Sequence, residues 1–152
     1  EQLCQLYHEN HGLSYTALRL YNAYGPGQSR GYFIPDIIAK AGAGQINLGG
    51  GVTTKDWVYI GDAADAFVKA LSTQFVGAVN IGTGVETELR AIAQAIATEL
   101  GATYSEANNG VGTRMRADIT RAARVLGWQP TTTLEEGLGA TLRYEKSQPV
   151  PA

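Results

Sequence analysis

Apolar positions along the chain fall into alternating helical and extended runs. Leu3, Leu6 and Tyr7 recur at helical spacing and Gly12 stands just past them, which predicts a helix over 1–11. Tyr15 to Tyr21 is dense in aromatic and aliphatic side chains and runs toward Gly25-Pro26-Gly27, the pattern of a buried strand entering a loop. Ile34, Ile37, Ile38 and Ala41 return to helical spacing over 33–43, with Pro35 near the first turn where proline is tolerated. Ile46 to Leu48 is a brief extended piece before Gly49-Gly50-Gly51, and Lys55 to Ile60 reads as a strand from its aromatic and β-branched content. Asp62 is then placed to cap a helix carrying Ala63, Ala66, Phe67, Ala70 and Leu71.

The second half repeats the alternation. Ala78 to Ile81 is a short buried strand closed by Gly82-Thr83-Gly84. Leu89, Ile92, Ala93, Ile96, Ala97 and Leu100 share one helical face, with Thr87 as the expected cap and Gly101 as the stop. Thr103 to Glu106 is a short strand, and Thr113 to Ala117 is a weaker candidate for another. Asp118 can cap a helix through Leu126, and Thr133 with Glu136 forms a capping box for a last helix to about Lys146. Strands alternating with helices predict an α/β class with a mostly parallel sheet, one unit over 1–148 and a loose tail over 149–152.

Composition narrows the function more than the fold. A chain of 152 residues with 44% apolar and 17% charged residues has the make-up of one folded domain. A net charge of −2 gives no general attraction to nucleic acid or to an anionic membrane, so any anion site must be local. The single cysteine, Cys4, cannot form an internal disulfide. No apolar run approaches the length of a membrane span and no basic start leads into one, so the expectation is a soluble, cytoplasmic protein. The first residue is Glu1, and the opening residues read like the back half of a helix, which gives the expectation of a fragment.

Common catalytic patterns are scarce. His8 and His11 lie three apart with no carboxylate at ligand spacing, and a solvated helix face is the better reading than a metal site. Gly82-Thr83-Gly84 follows a strand and precedes a helix but lacks the third glycine of a dinucleotide fingerprint, so a tight turn is favoured over a phosphate cradle. Asp56 and Asp62 read as structural, and Trp128-Gln129-Pro130 as a packing anchor for the last helix.

Four segments carry more information together than singly. They are Arg19-Leu20-Tyr21-Asn22-Ala23-Tyr24-Gly25-Pro26-Gly27-Gln28, Lys55-Asp56-Trp57-Val58-Tyr59-Ile60-Gly61-Asp62, Val79-Asn80-Ile81-Gly82-Thr83-Gly84, and Leu126-Gly127-Trp128-Gln129-Pro130 with Leu134-Glu135-Glu136-Gly137-Leu138. In this order they resemble the C-terminal half of an extended short-chain dehydrogenase/reductase, the NAD-dependent epimerase/dehydratase family acting on nucleotide sugars. The resemblance covers Glu1 to about Lys146. It implies the C-terminal part of an NAD(P)-binding Rossmann sheet plus a small α/β substrate-binding subdomain. It also implies that the catalytic Tyr-x-x-x-Lys pair and the glycine-rich NAD loop fall upstream of Glu1, leaving no catalytic residue in this chain.

The same resemblance implies roles for individual residues. Tyr21 matches a position lining the nicotinamide end of NAD, and Asn22 one that hydrogen-bonds the substrate diphosphate, with stabilisation of the following turn as its alternative. Phe33 matches a residue at the nucleotide-sugar pocket, and Ile46, Asn47 and Leu48 the strand flanking the base; a plain core role is an equally good reading for these apolar side chains. Lys55 stands where the family usually has a phosphate-binding arginine, keeping the charge but losing the bidentate fork. A second family arginine falls on Asn108, with Arg114 or Arg116 as its replacement and a solvated surface charge as the alternative for each.

The implied function is the nucleotide-sugar-binding half of an NAD-dependent epimerase, most like UDP-glucose 4-epimerase from Gly82-Thr83-Gly84-Val85-Glu86-Thr87, with a homodimer expected when intact. The alternatives are a 4,6-dehydratase of the same family, a stand-alone non-catalytic nucleotide-sugar-binding protein, and a related dehydrogenase acting on a steroid or flavonoid.

Overall fold

The computed structural model describes residues 1–107 and 111–148. The expectations for Asn108 and for the tail over 149–152 lie outside the described residues. Helix α1 (Gln2–His11) leads into β1 (Thr16–Leu20) and β2 (Asn22–Tyr24), then α2 (Phe33–Gly42), β3 (Gln45–Gly49), β4 (Thr54–Lys55) and β5 (Trp57–Tyr59). Helix α3 (Ile60–Ala70), β6 (Gly77–Ile81), β7 (Thr87–Glu88), α4 (Leu89–Leu100), β8 (Thr103–Ala107), α5 (Thr120–Leu126) and α6 (Leu134–Ser147) complete the described order.

Pairing is mostly parallel, as the alternation of elements requires. β1 runs parallel to β6 from Thr16 opposite Gly77 to Leu20 opposite Ile81. β2 pairs parallel with β5, and β3 with β8, while the two-residue strands β4 and β7 pair antiparallel. The buried apolar side chains form two clusters, with β5 contributing Trp57 to one and Val58 to the other. One joins α2, β3, α4 and α6 through Ile34, Ile37, Ile46, Ile92, Ile96 and Leu138. The other joins β5, α3, β6 and α5 through Val58, Ala66, Val79, Ile81 and Ala122, with Trp128 fully buried against them.

Local signals read from the sequence act as expected where no distant partner competes. Helices α1 and α4 end on Gly12 (φ 68°) and Gly101 (φ 67°), left-handed residues that return their N–H groups to the last turn. Thr133 and Glu136 form the capping box that starts α6.

Several boundaries move, each for a tertiary reason. The strand expected over Tyr15–Tyr21 changes partner at its end: the Tyr21 N–H still donates to the Ile81 carbonyl at 2.9 Å, but the Asn22 N–H turns to the Asp56 carbonyl at 3.1 Å. The strand expected over Lys55–Ile60 divides at Asp56 in the same way, β4 joining β7 and β5 joining β2. Asp62 does not cap α3, which begins at Ile60 behind Tyr59. Its carboxylate instead accepts from Thr131 N–H at 3.2 Å, Thr131 Oγ1 at 2.8 Å and Thr132 N–H at 3.0 Å, tying down the approach to α6. Thr87 lies in β7, and Glu88 takes the cap position of α4. Thr113 to Ala117 is irregular, and Asp118 accepts from the Thr120 N–H one residue ahead of the assigned cap, Ile119. Among the described residues no helix is long and apolar enough to cross a membrane.

Candidate functional site

In open parallel sheets, ligands bind beyond the carboxyl ends of the strands. Here that edge holds Tyr21 after β1, Asn22 opening β2, and the Gly82-Thr83-Gly84 turn after β6. The turn resembles an anion cradle but its donors are already used. Asp56, fully buried, accepts from Thr83 N–H at 2.6 Å, Thr83 Oγ1 at 2.8 Å, Gly84 N–H at 2.8 Å and Ala117 N–H at 3.0 Å. A Cβ at Gly82 would meet the Ala117 Cβ at 2.6 Å and an Asp56 oxygen at 3.0 Å, so glycine is what lets the turn close over the carboxylate. The tight-turn reading of this segment is therefore the one the geometry supports.

Asn22 is half-buried, and its Nδ2 donates to the Asp56 carbonyl at 2.9 Å and approaches Met115 Sδ at 3.7 Å. The amide thus ties the start of β2 to the break between β4 and β5, rather than to the turn that follows it, and leaves Oδ1 as the atom with no partner among the described residues. Lys55 is half-buried in β4 opposite Thr87. Arg114 is exposed and donates from Nε to Glu86 Oε2 at 2.8 Å, and Thr54 Oγ1 donates to the same oxygen at 3.2 Å. The Arg114 hydrogen bond, its largest influence, holds the Glu86 carboxyl below the ordinary carboxylate range. Segment 113–117 joins these groups: the Thr54 N–H donates to the Thr113 carbonyl at 2.9 Å, Met115 touches Asn22, and Ala117 binds Asp56.

The remaining expected site residues divide. Phe33, the first residue of α2, is half-buried with its ring centroid 5.7 Å from that of Trp57, which lies opposite Asn22 in the β2/β5 pair. Ile46 and Leu48 turn their side chains into the core, at 0% and 6% exposure, so the core reading is the one these side chains take. Asn47 alone in β3 faces outward from this trio, accepting from Gln45 Nε2 at 3.2 Å and from Ser105 Oγ. Asn22, which follows Tyr21, is joined to the 54–56 segment and to segment 113–117, whereas Asn47 lies on the separate β3/β8 pair.

Sequence reasoning missed Glu86, Thr54 and Met115. No spacing signal links them, since Glu86 is 28 residues from Arg114 and Asn22 is 93 from Met115. It also missed a groove of about 800 Å³ between α4 and α6, walled by Ile92, Ile96, Leu138 and Leu142 and containing none of the expected site residues. Trp57 lines this groove, and its buried Nε1 has no partner among the described residues.

Comparison with known proteins agrees with this architecture. The family model for the NAD dependent epimerase/dehydratase family matches residues 1–82. UDP-glucose 4-epimerase of Mycolicibacterium smegmatis is 34% identical over 97% of this chain and 50% of its own length. UDP-glucuronic acid decarboxylase 1 of Xenopus tropicalis is 28% identical over 97% of this chain and 37% of its own. Among solved structures, UDP-glucose 4-epimerase of Thermotoga maritima with UDP-glucose is similar at a TM-score of 0.85 and 28% identity, over 95% of this chain and 50% of that one. The dTDP-glucose 4,6-dehydratase of Bacillus anthracis in complex with NAD is similar at a TM-score of 0.83 and 27% identity, over 96% and 49%. The chain spans half or less of the length of these proteins. With the family model matching more than half of its residues and the parallel α/β architecture in common, the chain belongs to the NAD dependent epimerase/dehydratase family.

Proposed function

We propose that this chain is the nucleotide-sugar-binding half of an NAD-dependent nucleotide-sugar epimerase of the UDP-glucose 4-epimerase type. The observation that carries the reading is the meeting of Asn22 and Thr54 with segment 113–117, which carries Arg114, at the carboxyl end of the parallel strands, with Lys55 next to Thr54 in β4. Cationic side chains suit the charges of a diphosphate, and the arginine fork of Arg114 suits phosphate oxygens in particular. The 34% identity to a UDP-glucose 4-epimerase supports the epimerase over its siblings.

Tyr21 is half-buried at the same strand end and presents an aromatic ring suited to the flat face of a nicotinamide. Because Asp56 occupies the donors of the Gly82-Thr83-Gly84 turn, that turn is not a seat for the dinucleotide phosphates, and the share of NAD binding proposed here rests on Tyr21. NAD, when bound, supplies acceptance and return of a hydride at the sugar. The sequence contains no Tyr-x-x-x-Lys, so the role proposed for this chain is affinity and orientation of the sugar nucleotide, without an acid or base of its own.

Isothermal titration with UDP-glucose, UDP-glucuronic acid and dTDP-glucose tests the reading. UDP-glucose is expected to bind tightest of the three. A preference for dTDP-glucose would move the assignment to the 4,6-dehydratase, and failure to bind any of them would overturn the nucleotide-sugar role.

A further inference from the structure

Arg114 is exposed at 79% of its side chain but is held on one edge. Its Nε donates to Glu86 Oε2, while Nη1 and Nη2 have no partner among the described residues. Glu86 is the more buried member of the pair, at 21%, and the same Oε2 is braced by Thr54 Oγ1. The backbone on both sides of Arg114 is fixed as well, Thr113 to β4 and Ala117 to Asp56.

An exposed ion pair of this kind contributes little to folding stability. Its geometric effect is larger. A guanidinium offers five N–H donors in one plane, and pairing through Nε fixes that plane while leaving the two N–H groups of Nη1 and the outer one of Nη2 directed away from the carboxylate. Holding a long side chain in its bound orientation beforehand lowers the ordering cost at binding. Glu86 also precedes Thr87, the residue opposite Lys55, so the braced pair adjoins the β4/β7 ladder.

Resting on the nucleotide-sugar reading above, we propose that Glu86, braced by Thr54, is a positioning residue that aims the Nη edge of Arg114 at the ligand's diphosphate. Arg114 then supplies the bidentate contact that Lys55 cannot make. Glu86 itself touches no phosphate.

The test is a double-mutant cycle on the chain, titrated with UDP and with uridine, which lacks the diphosphate. Glu86→Gln and Glu86→Ala are each expected to weaken UDP about 3- to 10-fold, to leave uridine unchanged, and to have no effect in an Arg114→Ala background. In ¹⁵N NMR, the Arg114 Nε–H signal, protected from solvent exchange by Glu86, is expected to broaden in Glu86→Ala, a change that a purely structural Glu86 would not produce at this side chain alone. Tighter UDP binding in the Glu86 variants would make Glu86 a rival anion and overturn the proposal. So would an equal loss in the presence and absence of Arg114, or UDP binding that ignores Glu86 altogether. A wild-type chain that binds neither UDP nor uridine would instead remove the nucleotide reading on which the proposal rests.

Discussion

The carboxylate of Asp56 accepts the backbone N–H of Thr83 at 2.6 Å, joining two segments 27 residues apart. One oxygen takes Thr83 twice, through N–H and hydroxyl; the other takes Gly84 and Ala117. A single buried side chain therefore fixes the break between β4 and β5, the turn after β6 and the end of segment 113–117. Because the Asp56 carbonyl also receives both the backbone and side-chain N–H of Asn22, the corner that holds Asn22, Lys55 and Arg114 is built around this residue.

Asp56→Asn is expected to destabilise the fold by about 3 kcal/mol, the scale of losing charged hydrogen bonds and leaving buried donors facing an amide NH2. Urea unfolding measures it. A midpoint within error of wild type would show that the four donors find other partners.

Trp128 and Asp62 make a second long-range tie. The indole Nε1 donates to the Asp62 carbonyl at 3.0 Å, while the Asp62 carboxylate holds Thr131 and Thr132. Trp128→Phe removes this donor and part of a fully buried ring, and is expected to cost about 2–3 kcal/mol. Its effect should be smaller in an Asp62→Ala background, because both changes release the same approach to α6. Strict additivity in thermal melts would separate the two residues.

These ties explain which parts of the molecule were legible in sequence. Gly12, Gly101 and the Thr133/Glu136 box act within a few residues of themselves, so spacing alone revealed them. Asp62 carries the same local signature of a cap, yet its carboxylate is drawn to Thr131, 69 residues away, and the helix starts without it. At the site, Asn22 and Lys55 were visible because they stand inside recognisable segments. Glu86 stands in one too, Gly82 to Thr87, but its pairing with Arg114 across 28 residues leaves no mark in the spacing. Ile46 and Leu48 matched a site strand by position, but alternate residues of a strand face opposite ways, and theirs is the core.

The capping box predicts a pH dependence. The Thr133 backbone N–H, donating at 2.9 Å, and then its hydroxyl hold the Glu136 carboxyl below its ordinary value of 4.5. The unfolded chain therefore binds the proton more readily, and the stabilisation from Glu136 is fully present above that ordinary value and lost as pH falls through the lower folded one. The stability gap between wild type and Glu136→Gln is expected to be open at neutral pH and to close in acid. Thr133→Ala, which removes the cap oxygen itself, is expected to cost about 1 kcal/mol at neutral pH. Urea titrations at several pH values check both, and a gap that widens in acid would contradict the sign.

Lys55 is the direct test of where phosphate sits. It stands in a two-residue strand whose partner, Thr87, follows Glu86, and its own successor is the buried Asp56. The backbone at this position is therefore held from both sides, and the lysine side chain can be changed without loosening the corner. Lys55→Ala is expected to weaken UDP-glucose by about 1–3 kcal/mol, the range for a hydrogen bond to a charged group. Lys55→Arg restores a planar fork and is expected to bind at least as tightly as wild type. The salt dependence of binding should fall in the alanine variant, since one ionic contact has gone. Calorimetry that finds full affinity and an unchanged salt slope in Lys55→Ala would place the diphosphate away from β4 and leave Arg114 as its main cation.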